Sequence, residues 1–455
     1  MSQAEQVKNR ESWWITLRNS MNRRMAICVF TGFTSGLPLY FIIQLIPAWL
    51  RVENVSLKDI GFFSLISLPY LLKFVWSPLL DRYSFPLLGR RRGWIFVTQI
   101  GLLLSLSVLG YFQPATEINS ILWLAALVAF FSASQDIVLD AYRRELLPDY
   151  ELGLGNQIHV QAYRVAGLVP GSLGLILADH YSWDVVFQVV AAFMLVGIGM
   201  TLVISEAISS PKVPATFARA VIDPFKEFFQ RRGPKRALLV LCFLFCYKLG
   251  DSMATALSTP FFLDLGFSMT QIGVVAKNAA LWPAIFGGLF GGVLMLRLGI
   301  NKALWIFGVV QLITILGFAV LAEAGANLMV LAIVIGMEYL GVGLGAAAFV
   351  AFIAHESTPA LAATQIALFT SVTALPRTFA NAITGFLIEG AQGAQLEGFS
   401  ATVMGALMWL GLPAEGLGWT KFFYLCTFLA LPGMLLLFWV APLGGGSERI
   451  ANPDQ

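Results

Sequence analysis

Nine charged residues lie within long apolar stretches of this sequence, in places that a lipid bilayer would surround. They are Lys73, Asp136, Asp140, Arg164, Lys248, Asp251, Lys277, Glu338 and Arg377. A charge inside a bilayer costs from about three to more than about ten kcal/mol, so such residues are usually retained for a function. Five of the nine are basic and four are acidic, so mutual pairing would leave a small positive excess.

The basic members of this set favour an anionic substrate. An offset of 212 residues relates Ile60-Gly61 to Ile272-Gly273, and the same offset takes Arg164 to residue 376, next to Arg377. Arginine binds carboxylates through a bidentate fork and stays charged when it is desolvated. We therefore predict substrate contacts for two arginines and two lysines, with internal ion pairs as the alternative. The four are Arg164, Arg377, Lys248 and Lys277.

The acidic members are suited to proton coupling. Asp251 follows Lys248 at the i,i+3 spacing that places both on one helix face. A buried carboxylate beside a movable cation can gain a proton when the cation leaves and lose it when the cation returns. We predict that Asp136, Asp251 and Glu338 couple protons to transport, with static ion pairs as the alternative role.

The composition indicates which elements must position these charges. The chain has 455 residues, 58% of them hydrophobic and 12% charged, against about 25% charged in soluble proteins. Its apolar residues suffice for about twelve spans of about 22 residues each. This composition excludes a soluble enzyme, a nucleic-acid-binding protein and a disordered chain. Four cysteines and three histidines without an acidic cluster predict neither a metal site nor a cofactor.

Hydropathy predicts an all-α polytopic membrane protein with twelve transmembrane helices in two six-helix halves. The first six spans are 25–50, 57–80, 94–113, 119–146, 153–178 and 183–205; the others are 235–261, 269–296, 303–322, 327–354, 361–389 and 419–442. The remaining segments are an N-terminal tail (1–24), a linker (206–234) with an amphipathic helix, an outer insertion (390–418) and a C-terminal tail (443–455). The two bundles are therefore 25–205 and 235–442.

The distribution of basic residues orients these spans. Of the 29 lysines and arginines, 21 fall on the side of the N-terminus and only Arg51 and Lys58 on the opposite side. The positive-inside rule then predicts that both termini are cytoplasmic. Six spans, a cytoplasmic linker and six more spans are the layout of the major facilitator superfamily. Within the insertion, Ser400–Leu412 is too short to cross the bilayer, which favours an interfacial or re-entrant segment over a thirteenth span.

A second set of residues is predicted to gate the pore. Asp81-Arg82 and the following Gly89-Arg90 resemble the cytoplasmic signature loop of the superfamily, which forms a charge latch against neighbouring helix ends. We expect Asp140 and Arg143 to be its partners. Bending of the first span near Gly36 and Pro38 is expected to assist gating, with ordinary helix packing as the alternative.

Several short strings identify a closer resemblance within the superfamily. They are TGFTSGLPL (31–39), LKDIGFFSL…LLKFVWSPLLDR (57–82), GRRRGW (89–94), SASQDIVLDA (132–141), AYRV (162–165), YKLGD (247–251), VVAKN (274–278) and ATQIAL (363–368). Together they closely resemble the muropeptide permease family of the AmpG type, through both halves of the chain. Six predicted site residues fall on family motif positions: Gln135, Asp136, Arg164, Lys248, Asp251 and Lys277.

The resemblance implies a function and a location. Such permeases lie in the bacterial inner membrane and import N-acetylglucosaminyl-1,6-anhydro-N-acetylmuramic acid, with or without its stem peptide, from periplasm to cytoplasm. Import depends on the proton-motive force, feeds cell-wall recycling and, in some bacteria, supplies the signal for β-lactamase induction. The implied partners are the anhydromuropeptide, protons and membrane lipids, without nucleic acid, and we expect a monomer.

Additional polar and aromatic residues suit a sugar-containing anion. Gln135, Gln161 and Gln365 are expected to bind sugar hydroxyls and amides, and Tyr163 is among the aromatic residues that could stack on sugar rings. Two other interpretations remain open, an acetyl-CoA-type transporter of a different large anion and a non-transporting sensor or membrane-embedded enzyme. The sequence shows no nucleophile–base constellation that would support an enzyme.

Overall fold

The computed structural model describes residues 22–85, 88–148, 151–206, 226–357, 362–391 and 398–443. Apart from one isolated bridge between Phe85 and Gly89, the regular structure in these ranges is helical. The greater part of the predicted N-terminal tail, of the linker and of the C-terminal tail lies outside the described residues. The predicted division into two bundles, a linker and tails therefore stays a prediction.

Ten helices in the described ranges are long and apolar enough to cross a membrane. They are α1 (Arg23–Val52), α3 (Arg90–Leu109), α4 (Pro114–Leu146), α5 (Leu154–Ala178), α6 (Trp183–Val203), α7 (Pro234–Asp264), α8 (Met269–Met295), α9 (Arg297–Ala324), α10 (Leu328–Glu356) and α12 (Gly418–Val440). Each matches one predicted span to within several residues. The two other predicted spans, α2 (57–82) and α11 (362–389), are segmented, so the count of twelve stays a prediction.

The segmented elements consist of short consecutive helices. In α2 these are Leu57–Phe62, Phe63–Ser67, Leu68–Leu72, Lys73–Val75 and Ser77–Arg82; in α11 they are Ala362–Leu375, Pro376–Ala380, Asn381–Ile383 and Thr384–Glu389. Prolines at 69, 78 and 376 contribute to these breaks, because proline lacks the amide that would continue the hydrogen-bond ladder. The two elements cross closely, and a Cβ on Gly385 would clash with the Leu57 carbonyl group.

Helix α1 packs tightly on α5. A Cβ at Gly36 would clash with the carbonyl oxygen of Tyr163, so a glycine is needed for this approach. Pro38 lies within the first helical segment of α1, and a π-helical turn over Phe41–Leu45 follows it. The two residues of α1 predicted to assist gating therefore occupy a packing contact and the helical turn before an irregular segment.

The halves are joined at the ends that the charge distribution predicts to be periplasmic. Arg51 donates two hydrogen bonds to Asp264, at 2.6 and 2.9 Å, and lies 3.4 Å from a carboxylate oxygen of Glu389. The backbone N–H of Thr270 donates to Asp179 at 2.6 Å. Both contacts join one half of the chain to the other, so they fix the relative position of the two halves at this end.

The insertion before α12 contains a short helix over Gly398–Trp409. Its 12 residues are too few to cross a bilayer, as expected for the apolar run in this segment. Trp409 is 87% exposed, and Ala391 donates a backbone hydrogen bond to Ala414 at 2.6 Å, which brings the two ends of the insertion together. The interfacial or re-entrant placement of the helix stays a prediction.

Candidate functional site: a basic cavity between the halves

A cavity of about 520 Å³ lies between the two halves. Its walls come from α1, α2 and α5 of the first half and from α7, α8, α10 and α11 of the second. Five of the residues predicted from the sequence line it: Arg164, Lys248, Asp251, Lys277 and Arg377. The fold thus brings together, in one space, charged residues that are separated by up to 213 positions in the chain.

Three of the lining cations have no carboxylate partner among the described residues. Arg164 donates one hydrogen bond to the backbone carbonyl of Ala284 at 3.2 Å, and Lys277 donates to the hydroxyl of Thr259 at 2.9 Å. Arg377 is exposed in the cavity region and makes neither a hydrogen bond nor an ion pair with the described part of the chain. Since a carbonyl or hydroxyl does not neutralise a cation, these three residues make the cavity positive.

The fourth cation, Lys248, is paired. Its ammonium group lies 3.2 Å from the carboxylate of Asp251, one helical turn further along α7, and 6.0 Å from the centre of the Phe349 ring. Both charged side chains retain some exposure, 17% and 14%. The pair therefore lies on the cavity wall, where an incoming anion could compete with Asp251 for Lys248.

Glu338 lies behind this pair and does not line the cavity. The residue is 1% exposed, and neither of its carboxyl oxygens makes a hydrogen bond within the described ranges. It interacts electrostatically with both Asp251 and Lys248. Two of the three predicted proton-coupling residues are thus neighbours, contributed by α7 and α10.

The third predicted proton-coupling residue, Asp136, lies away from the Asp251–Glu338 pair and is hydrogen-bonded to α1. Its carboxylate accepts a hydrogen bond of 2.6 Å from the hydroxyl of Ser35, and the adjacent Gln135 donates to the carbonyl of Thr34 at 2.8 Å. Neither Asp136 nor Gln135 is among the residues that line the cavity. Their bonds hold α4 against α1, which differs from the substrate contact expected of Gln135.

The other predicted polar contacts also lie outside the cavity lining. The Tyr163 ring packs on Tyr40, with 5.5 Å between ring centres, and it is Tyr40 that lines the cavity. Gln161 has a buried carbonyl oxygen without a hydrogen-bond partner in the described ranges. Gln365 is buried and donates to Glu227, on the helix over 226–232 that precedes α7. Its amide therefore connects α11 with the linker region.

The residues predicted to latch the cytoplasmic side form pairs within the first half. Arg90 lies 3.4 Å from Glu145, whereas Arg143 donates to Asp140 at 2.9 Å and to Asn156 at 2.7 Å. Asp140 and Arg143 thus pair with each other, and Arg143 also bonds to α5. Arg90 of the loop pairs instead with Glu145, which the sequence interpretation did not single out.

The start of α3 has a further acidic partner. Glu206, after α6, accepts hydrogen bonds from the backbone N–H groups of Arg91 and Arg92 at 2.7 and 2.9 Å. A carboxylate at a helix N-terminus satisfies unpaired amides and interacts favourably with the helix dipole.

Asp81 and Arg82 end the last helical segment of α2. The side chains of both residues lie outside the described part of the structure, so the latch predicted for this loop stays a prediction.

The cavity also contains polar residues that sequence reasoning missed. Gln44 and Asn381 contribute amides, Tyr339 contributes a phenol, and the hydroxyl residues are Ser64, Ser67, Ser252, Thr255, Ser258 and Thr373. The carbonyl oxygen of Gln44 is buried without a partner among the described residues. Helical spacing could have identified two of these residues from the sequence, because Ser252 and Thr255 continue the face of α7 that carries Lys248 and Asp251. Within the described ranges, no group of three or more His, Cys, Asp or Glu residues could hold a metal ion.

A multi-pass helical fold enclosing a central cavity is characteristic of secondary transporters. The chain belongs to the Major Facilitator Superfamily, whose family model matches residues 27–381. It is 49% identical over 439 residues to an uncharacterized protein of Haemophilus influenzae, covering 94% of this chain and 97% of that protein. It is 37% identical over 423 residues to the anhydromuropeptide permease of Escherichia coli K12, covering 92% of this chain and 80% of that protein. Within the superfamily, the chain is a member of the AmpG-type permease family.

Solved structures agree on the fold. A mutant form of the nucleoside transporter NupG superposes with a TM-score of 0.68 at 10% identity, over 91% of this chain and 99% of that one. A D-xylose-proton symporter superposes with a TM-score of 0.67 at 12% identity, over 93% and 98% of the two chains. Because the chain belongs to the Major Facilitator Superfamily and to the AmpG-type permease family, the protein is a multi-pass membrane transporter and not an enzyme.

Proposed function

We propose that this transporter imports anhydromuropeptides from the periplasm into the cytoplasm together with protons. The observation that carries the proposal is the cavity between the halves, which holds three cations without carboxylate partners in the described part of the chain. The chain's membership of the permease family supplies the substrate class, because the Escherichia coli relative is an anhydromuropeptide permease.

The chemistry of the cavity suits this substrate. Muropeptides carry carboxylates, which Arg164, Arg377 and Lys277 would bind through charge-assisted hydrogen bonds. Sugar hydroxyls and peptide amides need neutral donors and acceptors, which Gln44 and Asn381 would provide. A volume of about 520 Å³ is within the range of about 300–1,000 Å³ that small-molecule sites occupy.

Transport would follow alternating access, in which the two halves rock about the central site. The protein would lie in the bacterial inner membrane, act as a monomer and have both termini in the cytoplasm, as the positive-inside bias supports. Imported product would enter cell-wall recycling and, in bacteria that regulate β-lactamase in this way, contribute to its induction.

Uptake into proteoliposomes tests the proposal. Radiolabelled anhydro-disaccharide and its tripeptide form are added outside vesicles that contain the purified protein and have an alkaline interior. We expect both compounds to accumulate above their external concentration, and a protonophore to abolish that accumulation. Absence of uptake, or uptake that the pH gradient does not change, would contradict the proposal.

An acetyl-CoA-type transporter is the second candidate, since guanidinium and ammonium groups also bind phosphate. Competition separates the two candidates. We expect excess unlabelled anhydromuropeptide, and not acetyl-CoA, to reduce uptake of the labelled tripeptide form. Strong competition by acetyl-CoA would favour the second candidate.

A further inference from the structure

Glu338 is in an unusual environment for an acidic residue. It lies near the middle of α10, is 1% exposed and has no hydrogen bond to either carboxyl oxygen among the described residues. The nearby hydroxyl of Thr314 donates instead to the carbonyl of Gln311, at 3.1 Å. An ionised carboxylate without partners in such surroundings costs several kcal/mol. Glu338 therefore needs either a proton or a nearby cation to occupy this position.

The groups that face Glu338 come from several helices. They are Asp251 and Lys248 of α7, Thr314 of α9, the adjacent Tyr339 of α10 and Cys426 of α12. Of these, Asp251 and Lys248 carry charge, and they are bonded to each other at 3.2 Å. The three residues therefore form a series from the buried interior of the second half to the cavity wall: Glu338, then Asp251, then Lys248.

We propose that Asp251 and Glu338 form a carboxyl pair that binds the transported proton, and that Lys248 links this pair to the substrate. The inference rests on the proposed function and deepens it, since it assigns the proton to one place. Asp136 has a different environment, because its carboxylate accepts a hydrogen bond from Ser35 and lies outside the cavity lining.

The coupling follows from charge balance. Two adjacent carboxylates in a medium of low dielectric constant cannot both be ionised unless a cation compensates them. While Lys248 lies beside Asp251, it provides that cation, and a proton can leave the pair for cavity water. When a substrate carboxylate draws Lys248 away, the pair loses its cation and must retain a proton on a carboxylate oxygen.

Anionic substrate and proton therefore bind together. The proton comes from cavity water while the cavity faces the periplasm, and it returns to cavity water after the cavity faces the cytoplasm. Substrate departure frees Lys248 to return to Asp251, which favours release of the proton on the same side. The net result is symport, with no other co-reactant.

Two transport measurements on the full-length protein in proteoliposomes test the assignment. The first is accumulation of the labelled tripeptide form driven by an imposed pH gradient. The second is counterflow, in which labelled substrate exchanges with unlabelled substrate at equal pH on both sides. We expect E338Q and D251N to lose the driven accumulation and to retain counterflow. E323Q, which changes an exposed carboxylate at the end of α9, serves as the matched control and should retain both.

The outcomes separate this inference from the proposed function. Driven accumulation that survives in E338Q or D251N would overturn the inference, as would its loss in D136N alone. If the unmodified protein itself shows no driven accumulation, the proposed function fails instead. If a variant loses both activities, infrared spectroscopy of the unmodified protein tests the inference instead. With the tripeptide form bound, we expect a protonated-carboxyl C=O band at neutral pH that is missing in E338Q, and its absence from the unmodified protein would overturn the inference.

Discussion

At the scale of single residues, the cavity is characterised by cations that no carboxylate of the described residues neutralises. Arg377 has no partner in the described part of the chain, and Arg164 has only the carbonyl of Ala284 there. A protein that needed these arginines for its own stability would pair them with carboxylates, as it pairs Arg91 with Glu145 at 2.8 Å. We infer that the missing anion is supplied by the substrate.

Neutralising either cavity arginine should abolish most of the uptake without affecting membrane insertion. A hydrogen bond to a charged group contributes about 1.5–3 kcal/mol, which corresponds to a loss of about tenfold to about a hundredfold in affinity. We expect R164Q and R377Q to show this loss in concentration-dependent uptake by proteoliposomes. K421Q changes an exposed lysine at the start of α12 and should transport normally. Normal uptake by both arginine variants would disprove the carboxylate-binding role.

At the scale of elements, close helix contacts fix the positions of these residues. Gly36 allows the backbone of α1 to approach that of α5 at Tyr163, one residue before Arg164. Gln135 and Asp136 then hold α4 on the same helix, through Thr34 and Ser35. The AYRV and SASQD motifs therefore meet at α1, and the second motif stabilises helix packing in this conformation.

Adding one methyl group at the α1–α5 contact should destabilise the transporter. The Cβ of G36A would clash with the Tyr163 carbonyl oxygen, and overpacking of this kind typically costs about 1–3 kcal/mol. We expect a lower midpoint of thermal unfolding in detergent and slower uptake, because α5 carries Arg164. At Gly199 on α6 a Cβ would have no neighbour within 4 Å, so G199A is the matched control. Equal midpoints for the two variants would show that α1 and α5 separate without cost.

At the scale of the whole molecule, contacts at one end hold the two halves together. Arg51 at the end of α1 binds Asp264 at the end of α7, and Trp419 of α12 donates a further hydrogen bond of 3.0 Å to Asp264. Glu389 of α11 accepts from the backbone of Leu57 at 3.0 Å and lies beside Arg51. This network joins the two halves at the predicted periplasmic end, so under the proposed alternating access it would have to open before the cavity could face the periplasm.

Removing the Arg51 side-chain charge should favour opening of that end. A partly exposed ion pair contributes about 1 kcal/mol or less, so the population should shift by about fivefold at most. We expect faster hydrogen–deuterium exchange in R51Q across Ile46–Val52 and Ser258–Asp264, the two segments that the pair connects. R297Q changes an exposed residue at the start of α9 and should leave the exchange unchanged. Unaltered exchange in R51Q would show that apolar packing alone closes this end.

The sequence by itself determined the membrane class, the transporter family and the five charged residues that line the cavity. Hydropathy and the cost of intramembrane charge act locally along the chain, so composition and position suffice to predict them. Only the tertiary structure decided which polar residues face the cavity and which hold helices together. Gln135 and Arg164 are both polar residues within apolar spans, yet one bonds to α1 and the other lines the cavity. That difference depends on how each helix is rotated against its neighbours, and rotation is set by packing between segments that are distant in the chain.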